Sequence, residues 1–186
     1  MMIHIDPTLY HGAPARTEGR LPRELAVYAL LDRLGIAYDR LDHEPTASME
    51  ACAGVEQLLG VTICKNLFLC NRQQTQFYLL MMDGAKPFHT KDLSHLLGVS
   101  RLSFASQEHM EELLQISPGA VSVMGLMNDT EGRVQLVMDR PVVEREMLGC
   151  HPCVNTASLR LRTRDVLERF LPEVGHSPII VDLPEE

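Results

Sequence analysis

The stretch Ile63-Cys64-Lys65-Asn66-Leu67-Phe68-Leu69-Cys70 reads as a buried strand with a cation set into its beginning. A polar turn, Asn71-Arg72-Gln73-Gln74, separates it from a second apolar run, Phe77-Tyr78-Leu79-Leu80-Met81-Met82. Two such runs joined by a short polar connection predict an antiparallel pair. Lysine is almost never fully buried without a partner. Lys65 therefore either ends a strand in water or projects into a cavity and meets an anion there.

Working outward, residues 48–59 form a candidate helix with Ser48 as N-cap and Gly60 as its stop. Upstream, residues 22–34 predict a helix with an apolar stripe of Ala26, Leu30 and Leu34, ended by Gly35. Residues 36–41 alternate like a strand. Residues 1–20 hold Pro7, Gly12, Pro14 and Gly19 without periodicity and are expected to be a flexible arm. Downstream, Thr90 caps a short helix, residues 102–105 make a short strand, and Ser106 starts another helix. Strands are expected at 134–138, 159–162 and 178–183, and Thr163 caps a last helix through Phe170. The interleaving is irregular, and several strand pairs lie too close for a crossover helix. The expected fold is therefore α+β, with a mixed, largely antiparallel, barrel-like sheet flanked by helices. One domain over residues 21–186 accommodates it.

Of 186 residues, 45% are hydrophobic and 23% charged, which is ordinary for a soluble globular chain. No apolar run approaches the ~20 residues that span a bilayer. Five cysteines without a secretory signal pattern fit free thiols in a cytoplasmic protein. The formal net charge of −8 excludes nucleic-acid binding through bulk positive charge, so any RNA contact needs a local basic patch.

Cys150-His151-Pro152-Cys153 has redox or metal spacing, yet Val154-Asn155-Thr156 is a poor helix start and no second close cysteine pair exists. Nucleophile-elbow, phosphate-loop and zinc-protease signatures are absent. Most of the histidines sit where a surface role is the default. His151 differs, lying in a proline-bounded bend with Asn155 four residues on. Pro118-Gly119-Ala120-Val121-Ser122-Val123-Met124-Gly125-Leu126 is rich in small residues. Its glycines could admit a ligand close to the backbone, or serve a tight turn feeding a core strand. Arg160 and Arg162 share a strand face, either as a phosphate-tracking ridge or as a solvated surface.

In order along residues 24 to 183, these segments resemble the prolyl-tRNA editing family, the YbaK-like free-standing aminoacyl-tRNA deacylases, and within it the PrdX-type branch. The resemblance rests on Lys65-Asn66-Leu67-Phe68-Leu69, on Leu96-Leu97-Gly98 with residues 102–105, and on Pro118-Gly119-Ala120-Val121-Ser122 with Gly125-Leu126 and Asn128-Asp129. It continues through residues 134–139, His151-Pro152 with Asn155-Thr156, and Gly175-His176. One departure is Val123-Met124, where the family usually carries Pro-Phe. The resemblance implies hydrolysis of alanine wrongly esterified to proline tRNA, with prolyl-tRNA synthetase as a further partner and no metal, organic cofactor or membrane. It implies Lys65, Asn66 and His151 as the catalytic set, Lys65 gripping the terminal nucleotide's phosphate. The aminoacyl pocket would be formed by Gly119, Ala120, Val121, Ser122, Val123, Met124 and Gly125 with Asn155. Lys65, Arg160 and Arg162 would contact the tRNA. An aminoacyl ester is already activated, so positioning and oxyanion stabilisation suffice.

Overall fold

The structure, a computed structural model, describes residues 3–46 and 49–186. Two sheets form the frame. The first is antiparallel and runs β1 (Tyr10–His11), β2 (Tyr38–Asp42), β8 (Ala157–Arg162), β7 (Met147–Cys150). The second is mixed and runs β5 (Ser103–Phe104), β3 (Lys65–Cys70), β4 (Phe77–Met82), β6 (Val134–Asp139), β9 (Ile179–Val181). The expected β3–β4 hairpin is present, with Lys65 opposite Met82 and Cys70 opposite Phe77. β4–β6 and β6–β9 are parallel. The α+β class thus holds, with the sheet divided in two and no closed barrel. A parallel bridge between Ile63 and Gly149 seams the two sheets.

Side-chain alternation along β3 explains how one strand serves two cores. Phe68 and Cys70 enter the main core between the sheets, whereas Leu69 enters a second core with Leu80, Met82 and Leu93 of α3 (Thr90–Leu97). β4 is buried along its whole length for the same reason. A third cluster sets α2 (Met49–Leu59) against Leu41 and Ile63. Among the described residues, no helix is long and apolar enough to cross a membrane.

Several local expectations need correction. In α1 (Pro22–Arg33) the buried face is Glu24, Val27, Tyr28, Leu30 and Leu31, and Ala26 is exposed. The Glu24 carboxylate accepts from the Tyr28 hydroxyl and pairs with Arg20, so the buried face includes a polar position that an apolar stripe cannot reveal. Thr90 is the first residue of α3; the N-cap is His89, whose side chain makes no capping bond. Ser106 does cap α4 (Gln107–Leu114), accepting from the His109 N–H. The Ser48 cap lies outside the described residues. Residues 120–127 do not feed a strand. Val123–Asn128 is a 3₁₀ helix capped by the Ser122 hydroxyl. The short α5 (Arg140–Glu144) was not anticipated, because Pro141 at its first turn reads equally well as a strand stop. The last helix comprises Thr163–Asp165, a π-turn Val166–Phe170 and Leu171–Glu173. Within residues 3–20, β1 pairs with β2, and Ile3, Ile5 and Leu9 pack against the third cluster.

Candidate active site

Lys65 opens β3, half-buried, and its ammonium donates to the Lys86 carbonyl at 3.2 Å. Lys86 is itself fixed. Its ammonium pairs with the fully buried Asp139 at 2.9 Å and donates to the Leu183 carbonyl at 2.9 Å. Asn66 donates to the Cys64 carbonyl, and its buried side-chain oxygen has no hydrogen-bond partner among the described residues. A buried carbonyl oxygen without a donor is costly, and it can serve as an acceptor for a ligand.

The seam places the next candidate. Lys65 stands two residues beyond Ile63, and His151 two residues beyond Gly149, so both leave the bridge at the same step. Cys64 and Cys150, the intervening residues, both turn into the main core. His151 is 6% exposed, and its Nδ1 lies 2.9 Å from the Ala157 carbonyl and 3.3 Å from the Ser158 hydroxyl. Burial lowers its pKa from 6.5 to about 4, so the ring is neutral at physiological pH. His43, just beyond β2, completes the group: its Nε2 lies 2.8 Å from the Ser158 hydroxyl and its Nδ1 2.8 Å from the Glu44 carbonyl. Burial lowers the His43 pKa as well.

His43 and Ser158 were missed from the sequence. Among the histidines the sequence pattern singles out His151 alone, yet His43 is only 7% exposed. One signal was available: His43-Glu44-Pro45 follows an alternating strand, much as His151-Pro152 follows β7.

The small-residue stretch divides into two parts. Gly119 has φ +88°, and a Cβ there would stand 3.4 Å from the Asn155 side-chain nitrogen and 4.0 Å from the Thr46 carbonyl. Gly119 and Asn155 therefore face each other, as neighbours of the loop that carries Thr46. Ala120, Val123 and Met124 are buried in the main core, and Val121 packs on its border. Ser122 is fully buried as a helix cap against the Cys150 thiol. Gly125 serves packing: a Cβ would lie 2.5 Å from Ile116 Cδ1 and 3.2 Å from the Leu114 carbonyl oxygen.

The two thiols of the C-x-x-C run are buried and held protonated. Burial pushes Cys150 strongly up and Cys153 to about 12, the reverse of what a redox thiolate requires. The arginines differ from each other. Arg160 pairs with Asp39 at 3.1 Å and donates to the Leu59 carbonyl at the end of α2. Arg162 is exposed and has no ion pair among the described residues. Both line a surface groove of about 390 Å³ with His11, Tyr38 and Met147.

An α+β frame that brings a cation and a neutral histidine to the same step beyond one backbone bridge, with two inert thiols, suits hydrolysis of an activated ester. Residues 43–168 match the aminoacyl-tRNA editing domain. The chain belongs to that family, and it is an aminoacyl-tRNA deacylase. It is 33% identical over 158 residues to a prolyl-tRNA editing protein, ProX, from Acetoanaerobium sticklandii, covering 85% of this chain and 96% of that one. It is 30% identical to a prolyl-tRNA synthetase associated domain-containing protein of Bos taurus, covering 82% and 90%. A solved structure described as a candidate trans-editing enzyme for prolyl-tRNA synthetase superposes with a TM-score of 0.65 at 19% identity, covering 89% of this chain and 99% of that one; it supports the fold.

Proposed function

We propose that this protein, acting in the cytoplasm, hydrolyses alanine mistakenly attached to tRNA(Pro), releasing free alanine and tRNA. The observation that carries the reading is the seam, which sets Lys65 and His151 at the same step beyond one backbone bridge. Similarity over nearly the full length of a protein named for prolyl-tRNA editing supports it.

In this reading the Lys65 ammonium exchanges the Lys86 carbonyl for a phosphate oxygen of the terminal nucleotide, a charge-assisted bond stronger than the one it replaces. The free Asn66 oxygen accepts from the ribose or the amino group. The amino-acid side chain lies beside Gly119 and Asn155, where the lack of a side chain on Gly119 lets the substrate approach the backbone closely. His151 is too weak a base at neutral pH to activate water by itself. The vicinal ribose hydroxyl of the substrate would take that part. Ala120, Val121, Ser122, Val123, Met124 and Gly125 back this position from the core. Residues 21–186 act as one editing domain, and prolyl-tRNA synthetase is the natural partner, since it generates the mischarged product.

The test is a deacylation panel on alanyl-, seryl-, cysteinyl- and prolyl-tRNA(Pro). Rapid loss of alanine and retention of proline is the expected pattern. Faster loss of serine or cysteine would reassign the substrate, and equal rates on alanine and proline would remove the size sieve.

A further inference from the structure

The hydrogen bonds around His151 fix more than its orientation. His43 Nδ1 faces a carbonyl, that of Glu44, at 2.8 Å, so this nitrogen must carry the proton. In the neutral ring Nε2 is then a bare acceptor, and the Ser158 hydroxyl donates to it at 2.8 Å. With its proton committed to His43, Ser158 turns only lone pairs toward His151 Nδ1 at 3.3 Å. The second neighbour of that nitrogen, the Ala157 carbonyl at 2.9 Å, is also an acceptor only. Both neighbours therefore require a proton on His151 Nδ1. Its Nε2 is left as a lone pair with no bond from the described residues.

We infer that His43 and Ser158 are positioning residues that lock His151 in the Nδ1–H tautomer, so that Nε2 meets the substrate as a hydrogen-bond acceptor. The group it would accept from is an N–H or O–H donor of the aminoacylated ribose, either the α-ammonium or the free hydroxyl. The inference rests on the deacylase reading of His151. It adds the direction of the hydrogen bond and two residues outside the pocket. Burial of both rings supports it by keeping them neutral.

The experiment is imidazole-nitrogen NMR on the full chain labelled at histidine, with His43→Gln and His151→Gln used to assign signals. At pH 7 both residues should be neutral with the proton on Nδ1. In parallel, Ser158→Ala should lower kcat about 10-fold with KM nearly unchanged, and Ser158→Thr should restore most of it. A propionyl ester, which carries no hydrogen-bond donor on its α-carbon, separates the donors. The effect of His151→Gln disappears on it if the α-ammonium is the donor and persists if the ribose hydroxyl is. An active wild type with the His151 proton on Nε2 overturns the inference and leaves the deacylase reading standing. So does a folded Ser158→Ala enzyme with wild-type kcat. If Ser158→Ala fails to fold, the wild-type tautomer decides alone. A wild type with the Nδ1 proton that hydrolyses no ester overturns the deacylase reading instead.

Discussion

The Lys65 ammonium is held 3.2 Å from the Lys86 carbonyl, and Lys86 is held in turn by the buried carboxylate of Asp139. The two links in this chain should fail differently. Lys65→Ala removes a half-buried cation whose one hydrogen-bond partner among the described residues is the Lys86 carbonyl, so the fold should survive. Deacylation should fall by about 10- to 150-fold, the worth of a charge-assisted phosphate contact. Asp139→Ala leaves the Lys86 charge without its carboxylate and the Leu183 N–H without its acceptor. It should cost about 3–5 kcal/mol of stability. Thermal unfolding beside single-turnover kinetics separates the two, and wild-type turnover in Lys65→Ala would refute the site assignment.

The buried histidine predicts an acid limb of stability. The His151 pKa lies near 4 in the folded protein against 6.5 unfolded, so the unfolded chain binds the extra proton as pH falls between those values. Stability is fully present above pH 6.5 and declines toward pH 4, by up to roughly 3 kcal/mol from this residue. Denaturant melts across that window should show the slope, and His151→Gln should flatten it. An unchanged slope in the variant would mean that His151 is not the group being titrated.

Two glycines six residues apart should lose similar stability on change to alanine but differ in their effect on activity. Gly119→Ala places a methyl 3.4 Å from the Asn155 nitrogen at φ +88°, so it should slow alanine release and cost about 1–3 kcal/mol of strain. Gly125→Ala drives a Cβ against Ile116 and Leu114 and should cost a similar 1–3 kcal/mol through overpacking. At temperatures where the Gly125 variant stays folded, its selectivity for alanine over proline should remain that of the wild type. A selectivity change in the Gly125 variant, with none in the Gly119 variant, would invert the pocket.

Charge reversal distinguishes the two arginines. Arg162→Glu touches no ion pair among the described residues, so it should weaken tRNA binding and lower the salt slope by about 1 without a change in melting temperature. Arg160→Glu also abandons Asp39 and the end of α2, so it should destabilise the protein as well. Affinity that stays constant across a salt series in the Arg162 variant would make this face a merely solvated one.

The sequence was most informative where local pattern and tertiary role coincide. The apolar runs on either side of residues 71–74 suggest an antiparallel pair, and the register shows one. It was least informative where a residue's role is set by something distant. Nothing near Gly125 announces Ile116 and Leu114, and nothing near His43 announces Ser158, 115 residues away. The division into two sheets was hidden for the same reason: β8 inserts between β2 and β7 far from either end of the chain's local patterns. Arg160 and Arg162 look equivalent by alternation, yet an acidic neighbour on β2 already engages one of them.

The bridge between Ile63 and Gly149 acts as a fixed ruler. A Cβ at Gly149 would stand 3.0 Å from both the Thr62 carbonyl oxygen and Val61 Cγ1, so a side chain there would push the two sheets apart. On the proposed reading, the step from a nucleotide at Lys65 to an ester at His151 would be set by the backbone pairing two residues before each. Changes at Gly119 and Asn155 would then alter which amino acid is removed while leaving the hold on the tRNA end at Lys65 in place.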